Sequence, residues 1–187
     1  MLETLIPYLK LGYTHVIPLG FDHILFILTL FFLNSKLKTV ILQCSVFTLA
    51  HSLTLGLVAF GLFMTNVKII EVLIALSILF TAVENIITNT INPFRLLIVF
   101  AFGLVHGMGF ANALLETGLP KGQYGIALVL FNIGVELGQI TIILLAYFLI
   151  AKWFGAKSWY KEKLVYPLCT LISCVALYWI IDRILLL

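Results

Sequence analysis

Charged residues are scarce in this chain. Of its 187 residues, 10% are charged and 63% are hydrophobic, whereas a soluble domain carries roughly 25% charged and about 45–50% apolar residues. Small soluble domains bury only about two-thirds of the surface that their unfolded chains expose. This composition therefore excludes a soluble enzyme and a disordered regulator. It predicts one integral membrane domain, residues 1–187, with an all-α fold.

Cysteines are few, and the standard catalytic patterns are missing. Cys44, Cys169 and Cys174 lie inside apolar runs without a C-x-x-C pair, so a disulfide framework is excluded. The sequence contains no H-E-x-x-H, G-x-S-x-G, P-loop or dinucleotide-binding glycine pattern. The net charge is +3, and the basic residues are scattered over several loops, so we expect no nucleic-acid partner.

Long apolar runs are abundant and predict about six transmembrane helices. A spanning helix needs about 20 mostly apolar residues, and turn-forming residues separate the runs. The predicted spans are 19–34, 39–61, 67–87, 93–115, 123–151 and 164–184. Residues 1–18 contain Pro7, Gly12 and Pro18, and we expect this segment to lie in the membrane interface.

The distribution of basic residues predicts the orientation. One set of loops holds Lys36, Lys38, Arg95, Lys152, Lys157, Lys161 and Lys163, and the other holds Lys10, Lys68, Lys121 and Arg183. Cytoplasmic loops carry the excess of lysine and arginine. The first set is therefore predicted to be cytoplasmic, with both termini outside.

Seven ionisable residues fall inside the predicted spans. Each costs at least about 2.5–3.5 kcal/mol in hydrocarbon, so such groups normally face the bundle interior and mark a functional path. They are Asp22, His23, His51, Glu71, Glu84, His106 and Glu136. Helical spacing puts polar side chains on one face of four helices. The polar residues predicted to support the site are His15, Ser52, Glu84, Asn85, Asn132 and Gln139.

Depth along the helices predicts a metal site in the outer half of the bundle. His23, His51, His106 and Asp22 are the expected ligands, and nickel, cobalt and zinc all fit this donor set. Gly103 lies one turn before His106 and Gly107 directly follows it, so a neighbouring helix can approach and bring His51 close to it. Glu84 and Asn85 lie apart, towards the cytoplasm.

Several motifs, in order over residues 12–140, resemble the second, compact branch of the HupE/UreJ family. They are the segments 15–26, 47–55, 71–78, 84–85, 102–111 and 131–139. The resemblance implies a bacterial inner-membrane protein of the kind named for hydrogenase and urease accessory loci. Nickel or cobalt uptake is proposed for the better-known branch of that family.

Two functions are compatible with these residues, one of them transport. The protein is predicted to be a divalent transition-metal permease or a metal-handling accessory protein. Its ion would be bound by His23, His51, His106, Asp22, Glu71 and Glu136. Glu84 and Asn85 would lie on the inner exit path, since transporters carry polar groups on both sides of the midplane.

The alternative is an intramembrane metal-dependent hydrolase or transferase, so the sequence leaves open whether the protein is an enzyme. It would act from the outer leaflet on a lipid or a lipid-anchored substrate. Glu71 or Glu136 would be the general base, and Asn132 or Ser52 would stabilise negative charge. In either case the partners are the bilayer and a metal ion. The Gly134-x-x-x-Gly138 pair packs either within the bundle or between protomers of a homo-oligomer.

Overall fold

The structure, a computed structural model, describes residues 2–63, 66–88, 90–117 and 123–186. Every regular element within these residues is a helix, which confirms the all-α prediction. The helices are α1 (Leu2–Val16), α2 (Phe21–Leu33), α3 (Leu37–Ala59), α4 (Val67–Ile87), α5 (Arg95–Thr117), α6 (Tyr124–Ala146), α7 (Lys152–Phe154) and α8 (Tyr166–Leu185). Two π-helical turns, Tyr147–Ala151 and Lys161–Val165, extend α6 and precede α8. Lys121, which the orientation argument counts, lies outside the described residues.

Four helical segments are long and apolar enough to cross a membrane. They are Leu37–Ala59, Val67–Ile87, Tyr124–Phe154 and Lys161–Leu185. Helices α1 and α2 meet at a bend of 66° and together qualify as a fifth, broken span. Helix α5 contributes a shorter apolar stretch, Arg95–Ala111. Four to five candidate spans beside this shorter helix are close to the six predicted, and each predicted run overlaps one long α-helix.

Small residues fix the position of α1 along α6. A Cβ atom added at Gly12 would collide with the backbone of Phe131, and one at Gly134 would collide with the backbone of α1. Gly138 lies against Val16 in the same way. The glycine pair that could have joined two protomers therefore packs α1 within one chain. The interfacial location of residues 1–18 stays a prediction.

Helices α3 and α5 approach each other as closely as their glycines predict. Gly103 lies against the backbone of Phe47, and Gly107 lies against the backbone carbonyl of His51. The hydroxyl of Thr54 crosses the contact and donates a hydrogen bond of 2.7 Å to the carbonyl oxygen of Leu104. This contact places the second half of α3, which includes His51, next to the middle of α5.

Apolar side chains cover the outside of the bundle as well as its core. Phe26, Phe31 and Leu30 are fully buried, whereas Leu49 and Leu97 are each about two-thirds exposed. Such an exterior suits lipid better than water. Among the described residues, most of the buried polar groups form two clusters and a series of contacts between them.

Candidate metal centre

Four histidines from four helices meet around His23. His15 lies near the end of α1 and His23 in the first turn of α2, so the bend between these helices brings the two together. The ring centroid of His23 lies 4.7 Å from that of His15, 5.7 Å from that of His51 and 5.2 Å from that of His106. The sequence identified all four residues but assigned His15 only a supporting position.

The possible ligand atoms form two overlapping groups. One group contains His15, His23 and His51, and the other contains Asp22, His23 and His106. Within each group the ligand atoms all lie within 4.8 Å of one another. His51 and His106 were expected to approach each other directly. Instead, each is grouped with His23, which belongs to both sets.

Several imidazole nitrogens of this cluster have no hydrogen-bond partner in the described part of the chain. They are buried and comprise His15 Nε2, His23 Nε2, His51 Nδ1 and Nε2, and His106 Nδ1. A buried polar atom without a partner costs about 1–3 kcal/mol, so a group of them needs an explanation. A metal ion accepts the lone pairs of neutral imidazoles. The histidine cluster therefore fits a transition-metal ion.

Asp22 orients the central imidazole. Its Oδ1 accepts a hydrogen bond of 2.8 Å from the backbone N–H of His23 and lies 3.2 Å from the Nδ1 of the same residue. A carboxylate that holds one nitrogen of a ligand histidine fixes the ring and its tautomer. The Nε2 of His23 is then the nitrogen available to an ion.

Ser77 orients His106 in the same way. The Ser77 hydroxyl donates to the carbonyl oxygen of Ile74 at 2.7 Å, and its oxygen lies 3.0 Å from the Nε2 of His106. Because the hydroxyl proton is already used, the oxygen accepts the proton of Nε2. This leaves the lone pair on Nδ1, the buried atom of His106 that has no hydrogen-bond partner among the described residues. Ser77 is a functional candidate that the sequence argument did not select.

Two cavities reach the cluster from the same end of the bundle. The smaller, about 140 Å³, is lined by the residues His15, Asp22, His23, Glu71, Ile74, His106, Gly109, Phe110 and Arg183. The larger, about 260 Å³, is lined by residues of α1 and the bend together with Asp22 and Phe110. The side chain of Glu71 is exposed at this end, and its backbone carbonyl accepts a hydrogen bond from Arg183. Glu71 therefore lies at the rim of the cluster rather than inside it.

Glu136 lies apart from the histidines. Its Oε1 accepts a hydrogen bond of 2.6 Å from the hydroxyl of Ser45, and it belongs to neither ligand group among the described residues. It lines a groove of about 370 Å³ between α3 and α6, together with Thr48, Ser52 and Asn132. Gln139 is buried next to this groove, where its Nε2 donates to Thr48 Oγ1 at 2.9 Å.

Glu84 and Asn85 form a second polar cluster at the far end of α4, as predicted from their depth. Glu84 pairs with Arg95, and the Nε of Arg95 donates a hydrogen bond of 3.0 Å to Oε1 of Gln43. Arg95 and Gln43 are both buried. Arg95, which was counted among the loop residues of the predicted cytoplasmic side, begins helix α5 instead, and its pair with Glu84 holds it inside the bundle.

A series of buried hydroxyls connects the two clusters. Thr81 donates to the carbonyl of Ser77 at 3.0 Å, Thr29 donates to the Thr81 hydroxyl at 2.8 Å, and Asn85 donates to the carbonyl of Thr29 at 2.8 Å. From Ser77 to Glu84 the rise along the helix is about 10 Å. Polar contacts therefore continue from the histidine cluster to the Glu84 end of α4.

These features define a polytopic helical membrane protein with a buried cluster of histidines and one carboxylate that can hold a metal ion. The family of HupE / UreJ proteins matches residues 1–183 of the chain, nearly its whole length. The chain therefore belongs to the HupE/UreJ family. No curated protein and no solved structure matches it significantly.

Proposed function

We propose that this protein is a permease for a divalent transition-metal ion of the nickel and cobalt class, in a bacterial inner membrane. Membership of the HupE/UreJ family supports the handling of such an ion. The two overlapping ligand groups around His23 support its binding inside the bundle. In this proposal the ion is the transported substrate, which binds at the histidine cluster and leaves at the end of α4 that carries Glu84.

The histidine cluster supplies the binding step. Neutral imidazole is a good ligand for nickel and cobalt, and the unpartnered nitrogens gain a partner when the ion arrives. The cavity that reaches the cluster is lined by Arg183 as well as by carboxylates. An ion that enters from this end therefore meets side chains of both charges. Asp22 supplies a negative charge next to the ligands, since its carboxylate accepts a hydrogen bond from Nδ1 of His23.

The observation that carries the transport proposal is the polar series between the two clusters. A site that binds an ion without transporting it needs polar groups only around the ion. Here the buried hydroxyls of Ser77, Thr81 and Thr29 continue past the histidines and reach Asn85. Polar side chains inside a membrane protein normally line a substrate path, because hydrocarbon penalises them elsewhere.

Uptake and binding measured on the same variants test this proposal. Purified protein in liposomes is assayed for nickel and cobalt uptake, and the same protein in detergent is titrated with each ion. The wild type should take up the ion, and His51→Ala should lose both binding and uptake. Thr81→Val should retain binding and lose uptake. Equal uptake by the wild type and His51→Ala would contradict the proposal.

Thr141→Val is the matched control for Thr81→Val. The hydroxyl of Thr141 also bonds to its own helix, at 2.8 Å from the carbonyl of Leu137, but it lies on α6 outside the polar series. It should leave both binding and uptake unchanged. A similar loss of uptake in both valine variants would show that the series has no special part in transport.

The groove between α3 and α6 favours one second candidate, the intramembrane hydrolase or transferase. Exposed Leu49, Val129 and Ile133 flank its polar floor, so a lipid can reach Glu136 sideways from the bilayer. The histidine cluster, which lies apart from this groove, would hold the zinc ion and supply an activated water, so this reaction needs a substrate that reaches from the groove to the cluster. Hydrolysis of a lipid ester by zinc-loaded protein, lost in Glu136→Gln, would favour this candidate over transport.

A further inference from the structure

The buried pair of Glu84 and Arg95 lies at the end of the polar series. Arg95 begins α5 and is 1% exposed, and Glu84 lies in the last turn of α4 and is 7% exposed. Gln43 of α3 holds the Nε of Arg95 at 3.0 Å. Three helices therefore meet at one guanidinium group, one helical turn beyond Thr81.

We propose that this pair closes the inner end of the ion path, with Glu84 as the last ligand of the ion and Arg95 as the counter-charge that must leave first. The inference rests on the proposed permease function. A guanidinium group stays protonated in proteins, so Arg95 in its observed position repels a divalent cation. Release of the ion requires Arg95 to separate from Glu84, whose carboxylate is then free to take the ion.

The surroundings of Arg95 provide room for that movement. A cavity of about 250 Å³, lined by Thr39, Gln43, Asn92 and Arg95, opens beside the guanidinium group. The Nη2 of Arg95 has no hydrogen-bond partner among the described residues, so only part of the group is held. A shift towards the cavity would keep the bond to Gln43 and break the pair with Glu84. A buried pair that is incompletely bonded contributes little stability, which favours a role in gating over one in folding.

Neutralising each partner separately tests the proposal. If the pair is a gate, the two variants should change nickel uptake in opposite directions. If the pair is structural, both should lower it. Arg95→Gln removes the repelling charge and should raise nickel uptake into liposomes by about tenfold, a barrier change of about 1.4 kcal/mol. Glu84→Gln leaves the positive charge unopposed and should lower uptake by at least about tenfold. Nickel binding at the histidine cluster should stay within a factor of about two in both variants, since each keeps all the residues of the two ligand groups around His23. Arg95→Lys keeps the charge and should not raise uptake.

If both neutral variants lower uptake equally, the pair is structural and the inference is wrong. If the wild type itself takes up no ion, the permease function fails first, and the inference fails with it. The two failures are therefore distinguishable in one assay.

Cys169 provides a second measurement within the natural chain. Its sulfur lies 3.3 Å from Nδ2 of Asn85, and it is fully buried. With Cys44→Ala and Cys174→Ser, Cys169 is the single thiol that a water-soluble methanethiosulfonate reagent can modify. Saturating nickel should speed this modification when the reagent is applied at the Glu84 end. An unchanged rate would mean that the ion does not open this end, and it would overturn the proposal even if the Arg95 variants fail to fold.

Discussion

Asp22 accepts two hydrogen bonds from its neighbour His23, one from the backbone N–H at 2.8 Å and one from Nδ1 at 3.2 Å. The carboxylate thereby holds the Nδ1 of His23 and leaves its buried Nε2 available to an ion. Since His23 belongs to both ligand groups, its orientation controls the geometry of the whole cluster. Asp22 is thus both a possible ligand and the residue that positions the central one.

Asp22→Asn should weaken nickel binding by about 10–100-fold, the usual effect of losing the carboxylate behind a ligand histidine. Calorimetric titration of the purified protein measures this change. Asp182→Asn is the matched control, because Asp182 is exposed on α8 and belongs to neither ligand group. Equal affinities for Asp22→Asn and the wild type would show that Asp22 neither binds the ion nor orients His23.

Single glutamine variants of the histidines should differ in the amount of metal that copurifies. His23→Gln removes the residue common to both groups and should lose the most metal. His15→Gln and His106→Gln each disrupt one group and should retain more. His106→Gln should fold and insert normally, because glutamine preserves size and polarity. Elemental analysis gives the metal content, and equal content in all three variants would contradict a central position for His23.

Gly107→Ala should destabilise the protein by about 1–3 kcal/mol, the usual cost of overpacking a tight contact. The added methyl group would collide with the carbonyl oxygen of His51 and the hydroxyl of Thr54. Gly56→Ala is the control on α3, because no atom of the described residues lies within 4 Å of its added methyl group. It should leave stability unchanged or raise it by about 0.5–1 kcal/mol through better helix propensity. Thermal unfolding in detergent measures both, and equal melting temperatures would contradict the prediction.

The raised pKa of Tyr160 predicts that the protein loses stability at high pH. It lies just before Lys161, outside the helices that can span the membrane, and burial, with a smaller effect of Cys169, raises its pKa to about 12. The folded protein therefore holds the phenol proton more tightly than the unfolded chain does. The contribution of Tyr160 to the free energy of unfolding is fully present below about pH 10, the ordinary pKa of tyrosine. It is lost as the pH rises to about 12.

Tyr160→Phe should lack this part of the pH dependence. The Tyr160 hydroxyl has no hydrogen-bond partner in the described part of the chain, so the substitution removes no bond. Circular dichroism melting curves between pH 9 and pH 12, roughly the range in which tyrosine titrates, measure the difference. Tyr178→Phe, at an exposed position on α8, is the control. Parallel losses of stability in the wild type and Tyr160→Phe would exclude Tyr160 as the cause.

The sequence was sufficient to predict the long helices from α2 onwards and most of the histidine cluster, but it did not predict helix α1 (Leu2–Val16). Apolar runs separated by turn residues are an unambiguous signal in so hydrophobic a chain. Ionisable residues in hydrocarbon are costly, so His23, His51 and His106 pointed to a common interior site. Gly103 and Gly107 correctly indicated that a neighbouring helix, α3, packs closely against α5.

The parts of the site that the sequence did not predict depend on contacts between helices. The periodicity of a sequence does not encode such contacts. Arg95 follows Pro93 at the start of an apolar run, so its sequence position is typical of a surface loop. Its burial depends on Glu84, which lies in the preceding helix. Likewise, helical spacing gives the face on which Glu136 lies but not the neighbour that this face meets. The structure pairs it with Ser45, a residue without any distinguishing sequence pattern.

The orientation of the bundle decides whether the proposed path leads into the cell. The buried Arg95 no longer counts among cytoplasmic loop residues, and the prediction now depends on Lys36, Lys38, Lys152, Lys157, Lys161 and Lys163. With the natural cysteines replaced, Lys157→Cys should react with a membrane-impermeant thiol reagent only after permeabilisation. Lys10→Cys, exposed on α1, should react in intact cells. The opposite pattern would invert the bundle, place the histidine cluster at the cytoplasmic side and make the proposed path one of export.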